Sequence, residues 1–183
     1  SLEEPVEDGK TFFENALIKA TYYMEKTGLM VLADDSGLQV DVLDGRPGIY
    51  SARFAEKGVT RKERDDANNS LLLSLLKDVP FADRTARFVC VFALVFPDRD
   101  LVIKSCGTFE GLIGDSLVGQ NGFGYDPLFF VNDLGCTVAE LSAQEKNMHS
   151  HRAMASRNLV NKIRDHSWKS WPFYSQDPND ETT

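Results

Sequence analysis

Asp34-Asp35-Ser36-Gly37 sets two adjacent carboxylates, a hydroxyl and a glycine at the carboxyl end of a short apolar run, Met30 to Ala33. Strand ends in α/β sheets are where ligands bind, and paired carboxylates are costly to bury without partners. Such a pair could hold a divalent cation or take a proton from water. Taken alone, the tetrapeptide reads more readily as an Asp-rich turn with Gly37 as its bend. Lys19 shares the polar face of a helix with Asn15, where a lysine is ordinarily just solvated. Glu7 and Glu14 are equally open, and Glu14 is already explained by a capping box with Thr11.

Gly122-Phe123-Gly124-Tyr125-Asp126-Pro127 is less ordinary. Glycines around an aromatic let backbone approach a ligand and leave the ring free to stack on a base. The same residues also suit a tight loop with Phe123 in the core. Glu145-Lys146 and Ser150-His151-Arg152 gather hydrogen-bond donors. They suit a purine with an oxygen at position 6, or equally a charged helix start. HExxH, GxSxG and P-loop patterns are absent from the sequence.

The elements that must position these residues can be read from periodicity. Thr11 to about Lys26 is a helix with Phe12, Ala16, Ala20, Tyr23 and Met24 on its apolar stripe, stopped at Gly28. Met30 to Ala33 and Leu38 to Leu43 read as two strands separated by the Asp-rich turn. Thr60 with Glu63 opens a second helix that runs through the leucines of 71–76. Arg84 to Phe96 and Leu101 to Ile113 pair as an antiparallel hairpin, and Leu128 to Val131 is a further strand. Thr137 with Glu140, and Ser142 with Glu145, start helices. A last helix opens near Ser150 and turns Ala155, Leu159 and Ile163 inward. The expectation is a single α/β domain over residues 1–174, with a mobile polar tail over 175–183.

The composition narrows the function. A chain of 183 residues with 42% hydrophobic and 26% charged residues can bury a real core. Its net charge of -8 opposes non-specific binding to nucleic acid. A phosphorylated small molecule can still be met by local lysines or a metal. Cys90, Cys106 and Cys136 form no CxxC pair, so a zinc site or disulfide framework is not expected. The apolar run Phe88 to Phe96 is too short to cross a bilayer. No charged-then-apolar leader opens the sequence, and a cytoplasmic setting is expected.

Together the segments say more. The runs Thr11 to Ala20, Ala33 to Leu38 and Gly45 to Phe54 closely resemble the inosine triphosphate pyrophosphatase family. Its members are also called dITP/XTP or non-canonical purine NTP pyrophosphatases. Gly122 to Pro127, Ala139-Glu140-Leu141, Glu145-Lys146 and Ser150-His151-Arg152 continue the match in order, from about Glu7 to Ile163. The resemblance implies a twisted mixed β-sheet with flanking helices, in two lobes with a central substrate cleft. It implies a Mg2+-dependent homodimer that cleaves inosine, deoxyinosine or xanthosine triphosphate to the monophosphate and pyrophosphate. By the same resemblance Asp35 is the general base and a metal ligand, with Asp34 and Glu7 as further metal carboxylates. Lys19 is the phosphate-contacting catalytic lysine. Ser36, Phe123, Gly124, Tyr125, Asp126, Lys146, His151 and Arg152 bind substrate, Phe123 by stacking on the base. The family's opening strand and Thr/Ser-x-Asn-x-x-Lys loop have no counterpart in this sequence. That difference leads to an expectation of weaker turnover, binding without efficient catalysis at the extreme, and association through an unpaired sheet edge.

Overall fold

Thr11 starts helix α1 (Phe12–Thr27) because its hydroxyl accepts the Glu14 N–H at 3.1 Å, and Gly28 ends it in the left-handed region at φ 68°. The computed structural model describes residues 3–165. The tail at 175–183 and His166 lie outside them. After α1 comes β1 (Val31–Val40), a single ten-residue strand. The two strands and intervening Asp-rich turn expected here are therefore one element, and the 34–37 tetrapeptide lies inside it. Asp is unfavourable in strands by propensity, but tertiary partners override that preference here, as described below. The strand stops at Val40, where a 3-10 turn (Asp41–Leu43) begins, rather than at Leu43.

Helix α2 (Arg61–Leu75) opens with a complete Thr60–Glu63 capping box. Strands β2 (Thr85–Val95) and β3 (Val102–Ile113) follow, then β4 (Phe129–Val131) and β5 (Cys136–Thr137). Thr137 and Glu140 do form a capping box, but it caps a three-residue 3-10 turn, Val138–Glu140. The helix expected there stops because Leu141 returns to extended backbone at ψ 146°. The Ser142–Glu145 box opens α3 (Ala143–His149), and α4 (His151–Arg164) closes the described chain.

The five strands form one sheet in sequence order, with helices flanking it. β3 pairs antiparallel with β4 through Leu112 opposite Phe130, and β4 pairs antiparallel with β5 through Phe130 opposite Thr137. The described residues divide into two compact units, one of residues 3–35, 90–107 and 154–165, the other of Ser36–Val89 and Thr108–Ala153.

Alternation along the strands organises the first unit. Ala93 and Val95 of β2 pack with Ala16 and Ala20 of α1, joined by Val31 and Ala33 of β1. Leu94 points the other way and packs with Ile103 and with Leu159 of α4. Ala155 and Leu159 are buried as expected, whereas Ile163 is 42% exposed. In the second unit, Leu72 and Leu76, at the end of α2, meet Leu38, Val40, Phe88 and Phe129. Among the described residues no helix is long and apolar enough to cross a membrane.

Candidate active site

In the first unit, α1 aims Asn15 and Lys19, one turn apart, at β1. The Asn15 amide donates to Oδ2 of Asp35 at 3.1 Å, and its Oδ1 accepts the Gly9 N–H at 2.9 Å. A β-carbon at position 9 would lie 2.7 Å from that same Oδ1, so the chain needs glycine to come this close to Asn15. Gly9 thereby holds the preceding segment against α1. Lys19 Nζ lies 2.9 Å from Glu7 Oε2 and 3.4 Å from Asp35 Oδ1. One ammonium thus bridges two carboxylates.

Burial raises the pKa of Asp35, and the charge of Glu7 adds to the rise. The Lys19 charge and the Asn15 hydrogen bond oppose it, and the balance is upward. A carboxylate with raised proton affinity, still held by two donors, is a better base than an exposed aspartate. Asp34 behaves differently. Consecutive strand residues point to opposite faces, and Asp35 follows Val31 and Ala33 toward α1. Asp34 Oδ2 instead lies 3.9 Å from the Cys90 thiol of β2. The adjacency in sequence that suggested a joint metal pair is the reason the two carboxylates diverge. No group of three or more His, Cys, Asp or Glu residues closes around a metal position among the described residues.

In the second unit, Arg152 Nη2 donates to the Ser36 hydroxyl at 2.8 Å. Phe123 is 48% exposed, which decides against a core role for its ring. The Arg61 guanidinium and the Lys146 ammonium lie 4.3 and 4.6 Å from the ring centre. Asp126 is buried, accepts the Phe123 N–H at 2.9 Å and forms an ion pair with Lys146. Gly122, at φ 76°, has no room for a β-carbon, which would clash with Asp126 Oδ2. Tyr125 sits in the core and donates its hydroxyl to the Ser51 carbonyl at 2.8 Å. Burial, helped by Asp65, pushes its pKa well up. Its side chain supports the loop from within the core. Gly124 has open space where a side chain would stand.

His151 is 7% exposed and stacks on Phe88, centroids 5.0 Å apart. Burial, with the charges of Arg152 and Lys146, brings its pKa down to about 3. It is a neutral imidazole at ordinary pH, able to donate and accept. Lys146 and Arg152 can donate and, while charged, cannot accept. The structure therefore gathers Glu7, Lys19 and Asp35 in one unit and Phe123, Gly124, Asp126 and Lys146 in the other, where Ser36 meets Arg152. The sequence reading missed Asn15 as the holder of Asp35. It also missed Arg61, Asp65 and Asn69, which contact the Phe123–Asp126 loop. The available signal for the last was an Asn-Asn pair inside a helix, where asparagine is unfavourable.

The same residues lie in a chain with clear relatives. The Ham1 family matches residues 1–162. A dITP/XTP pyrophosphatase of Geobacter sulfurreducens is 53% identical over 152 residues, covering 83% of this chain and 74% of the relative. One from Pseudomonas syringae pv. tomato is 52% identical over 156 residues, covering 85% and 77%. Among solved structures, the Ham1 protein of Staphylococcus aureus superposes with a TM-score of 0.81 at 41% identity, over 90% of this chain and 82% of that one. The nucleoside-triphosphatase / dITP/XTP pyrophosphatase of Mycobacterium abscessus gives 0.71 at 40% identity, over 90% and 79%. Sequence identity at this level over most of the chain, together with a shared fold, places this protein in the Ham1 family.

Proposed function

We propose that this protein hydrolyses non-canonical purine nucleoside triphosphates, among them inosine, deoxyinosine and xanthosine triphosphate, to the monophosphate and pyrophosphate. The observation that carries the proposal is the grip on Asp35: half-buried, held by Asn15 and Lys19, and raised in pKa. In the reaction, a water oxygen bonds to the α-phosphorus and the bond to the α,β-bridging oxygen breaks. Asp35 takes the water proton, and Lys19 answers the phosphate charge. The Phe123 ring offers a face for the base, and Arg152 and Lys146 offer donors for an oxygen at position 6. The names of the relatives support the same substrate class.

Magnesium belongs to this proposal. Glu7 and Asp35 already share one cation, the Lys19 ammonium, so two hard oxygen donors converge where a cation is welcome. Magnesium is commonly held by one or two carboxylates plus substrate phosphates, which fits this donor set. Glu7 and Asp35 would hold it, and Asp34, turned toward Cys90, fits poorly. When bound, the ion neutralises phosphate charge. A homodimer in the cytoplasm completes the reading, on the family resemblance; light scattering and cell fractionation test those two points.

Turnover of inosine triphosphate in ¹⁸O-water, with and without magnesium, tests the chemistry. The expected result is magnesium-dependent release of pyrophosphate, with the label in inosine monophosphate. Release of orthophosphate and a diphosphate would overturn it. Binding without turnover would leave a nucleotide-holding protein instead.

A further inference from the structure

Two consecutive asparagines inside a helix call for a tertiary reason, because asparagine disfavours helix and a buried amide needs partners. Asn68 and Asn69 of α2 are both buried. Asn68 is accounted for by the turn before the helix: it accepts the Ala55 N–H at 2.8 Å and donates to the Ser51 carbonyl at 3.2 Å. Asn69 is turned to the loop after β3. Its amide donates to the Gly124 carbonyl at 2.9 Å, while its buried Oδ1 has no hydrogen-bond partner among the described residues. The chain accepts that desolvation cost and keeps an amide here.

One turn earlier, Asp65 accepts the Gly124 N–H at 2.9 Å. One turn earlier again, Arg61 lies against the Phe123 ring. Residues 61, 65 and 69 are spaced four apart and share one face of α2. Both backbone polar groups of Gly124 are thus held by a single helix face. Gly124 itself sits at φ 61°, in the left-handed region that glycine adopts readily, and the Phe123 before it is exposed. A peptide clamped at its N–H and its carbonyl leaves the neighbouring ring few poses.

We infer that the Arg61–Asp65–Asn69 face of α2 is a positioning element that sets the pose of Phe123 and so the affinity for the purine base. The inference rests on the reading of the Phe123 loop as the nucleoside site. Asp65 and Asn69 touch the loop rather than the substrate, and act through it.

The test compares Asp65→Ala, Asp65→Asn and Phe123→Ala with the parent on inosine triphosphate. Losing a charge-assisted hydrogen bond to the loop should raise KM about tenfold in Asp65→Ala, with kcat within about twofold. Asp65→Asn keeps an acceptor oxygen and should restore KM to within about threefold. Exchange of the Gly124 amide, followed by NMR without substrate, should quicken about tenfold in Asp65→Ala and recover in Asp65→Asn. If Asp65→Ala fails to fold, Asn69→Leu, which keeps the volume and drops the donor, carries the same expectation for KM. A parental KM in Asp65→Ala beside a raised KM in Phe123→Ala overturns the positioning role and leaves the site reading intact. A parental KM in Phe123→Ala overturns the nucleoside-site reading and this inference with it. A fall in kcat at constant KM, or no rescue by Asp65→Asn, also overturns the inference.

Discussion

Asn15 donates its side-chain amide to Asp35 at 3.1 Å, from a position in α1 that is itself buried. The bond uses one carboxylate oxygen, Oδ2, while Lys19 takes Oδ1. The carboxylate plane is therefore set by two residues one helical turn apart, and its proton affinity by the burial around it.

Asp35→Asn keeps that shape and removes the proposed base. The Asn15 amide can still donate to the new side-chain oxygen, so folding should be little changed. Removing a general base typically costs about 10²–10⁴ in rate, and loss of a metal ligand adds to it. A rate for inosine triphosphate equal to the parent's would show that Asp35 does not accept the proton.

Lys19→Met keeps an unbranched side chain one atom shorter and removes its charge. Glu7 and Asp35 then face each other without a shared cation. The triphosphate loses a charge-assisted partner, and KM should rise by about 10- to 100-fold. Glu7→Gln should weaken the response to magnesium without that rise. Steady-state kinetics over a magnesium titration separates the two, and an unchanged KM in Lys19→Met would remove the lysine from phosphate binding.

The elements that position the site were legible where the signal is local. Thr11, Thr60 and Ser142 start helices by accepting the N–H three positions on, so these caps read directly. The box closes at Thr60 and Ser142, whereas the Glu14 carboxylate expected to complete it at Thr11 accepts the Lys10 N–H instead. The β2–β3 hairpin read from its apolar runs. Asp34-Asp35 did not read as strand, because what keeps two carboxylates in a strand is supplied from elsewhere: Asn15 and Lys19 on one face, Cys90 on the other. The same holds for α2. Asp65 and Asn69 find Gly124 at 59 and 55 residues' distance, and without that partner they look like any solvated helix face. Tyr125 is a substrate-binding position by the family resemblance alone, and its buried bond to Ser51, 74 residues away, cannot be read locally.

His151 makes stability depend on pH. Its folded pKa is about 3, against an ordinary 6.5, because burial and two nearby cations oppose its charge. Below pH 6.5 the unfolded chain takes up a proton that the folded chain refuses. The contribution is therefore complete above 6.5 and is lost as pH falls toward 3, with a slope of up to about 1.4 kcal/mol per pH unit. His151→Phe keeps a ring against Phe88 and cannot titrate. Between pH 6.5 and 5, urea unfolding should show the parent losing more stability than the variant. Parallel losses would mean that His151 takes up its proton in the folded state as readily as in the unfolded one.

Arg152 should decide which base is accepted. Hypoxanthine and xanthine carry an oxygen at position 6, which accepts hydrogen bonds, whereas adenine carries an amino group, which donates. A guanidinium is a fixed fork of donors, so adenine would meet it donor to donor and leave both groups unpaired. Sites built in this way reject the wrong partner by up to about 10⁴–10⁵. On the proposed reading Phe123 stacks on any purine and supplies affinity with little choice, so Phe123→Ala should weaken inosine and adenosine triphosphates alike. Arg152→Ala should instead narrow the gap between them. Ser36→Ala keeps the guanidinium and removes the hydroxyl that accepts from it at 2.8 Å, so it should narrow the gap less than Arg152→Ala. The measurement is the ratio of kcat/KM for the two triphosphates in each variant. A ratio in Arg152→Ala equal to the parent's would mean that this arginine does not read the base, and discrimination at position 6 would then fall to Lys146 and the neutral His151.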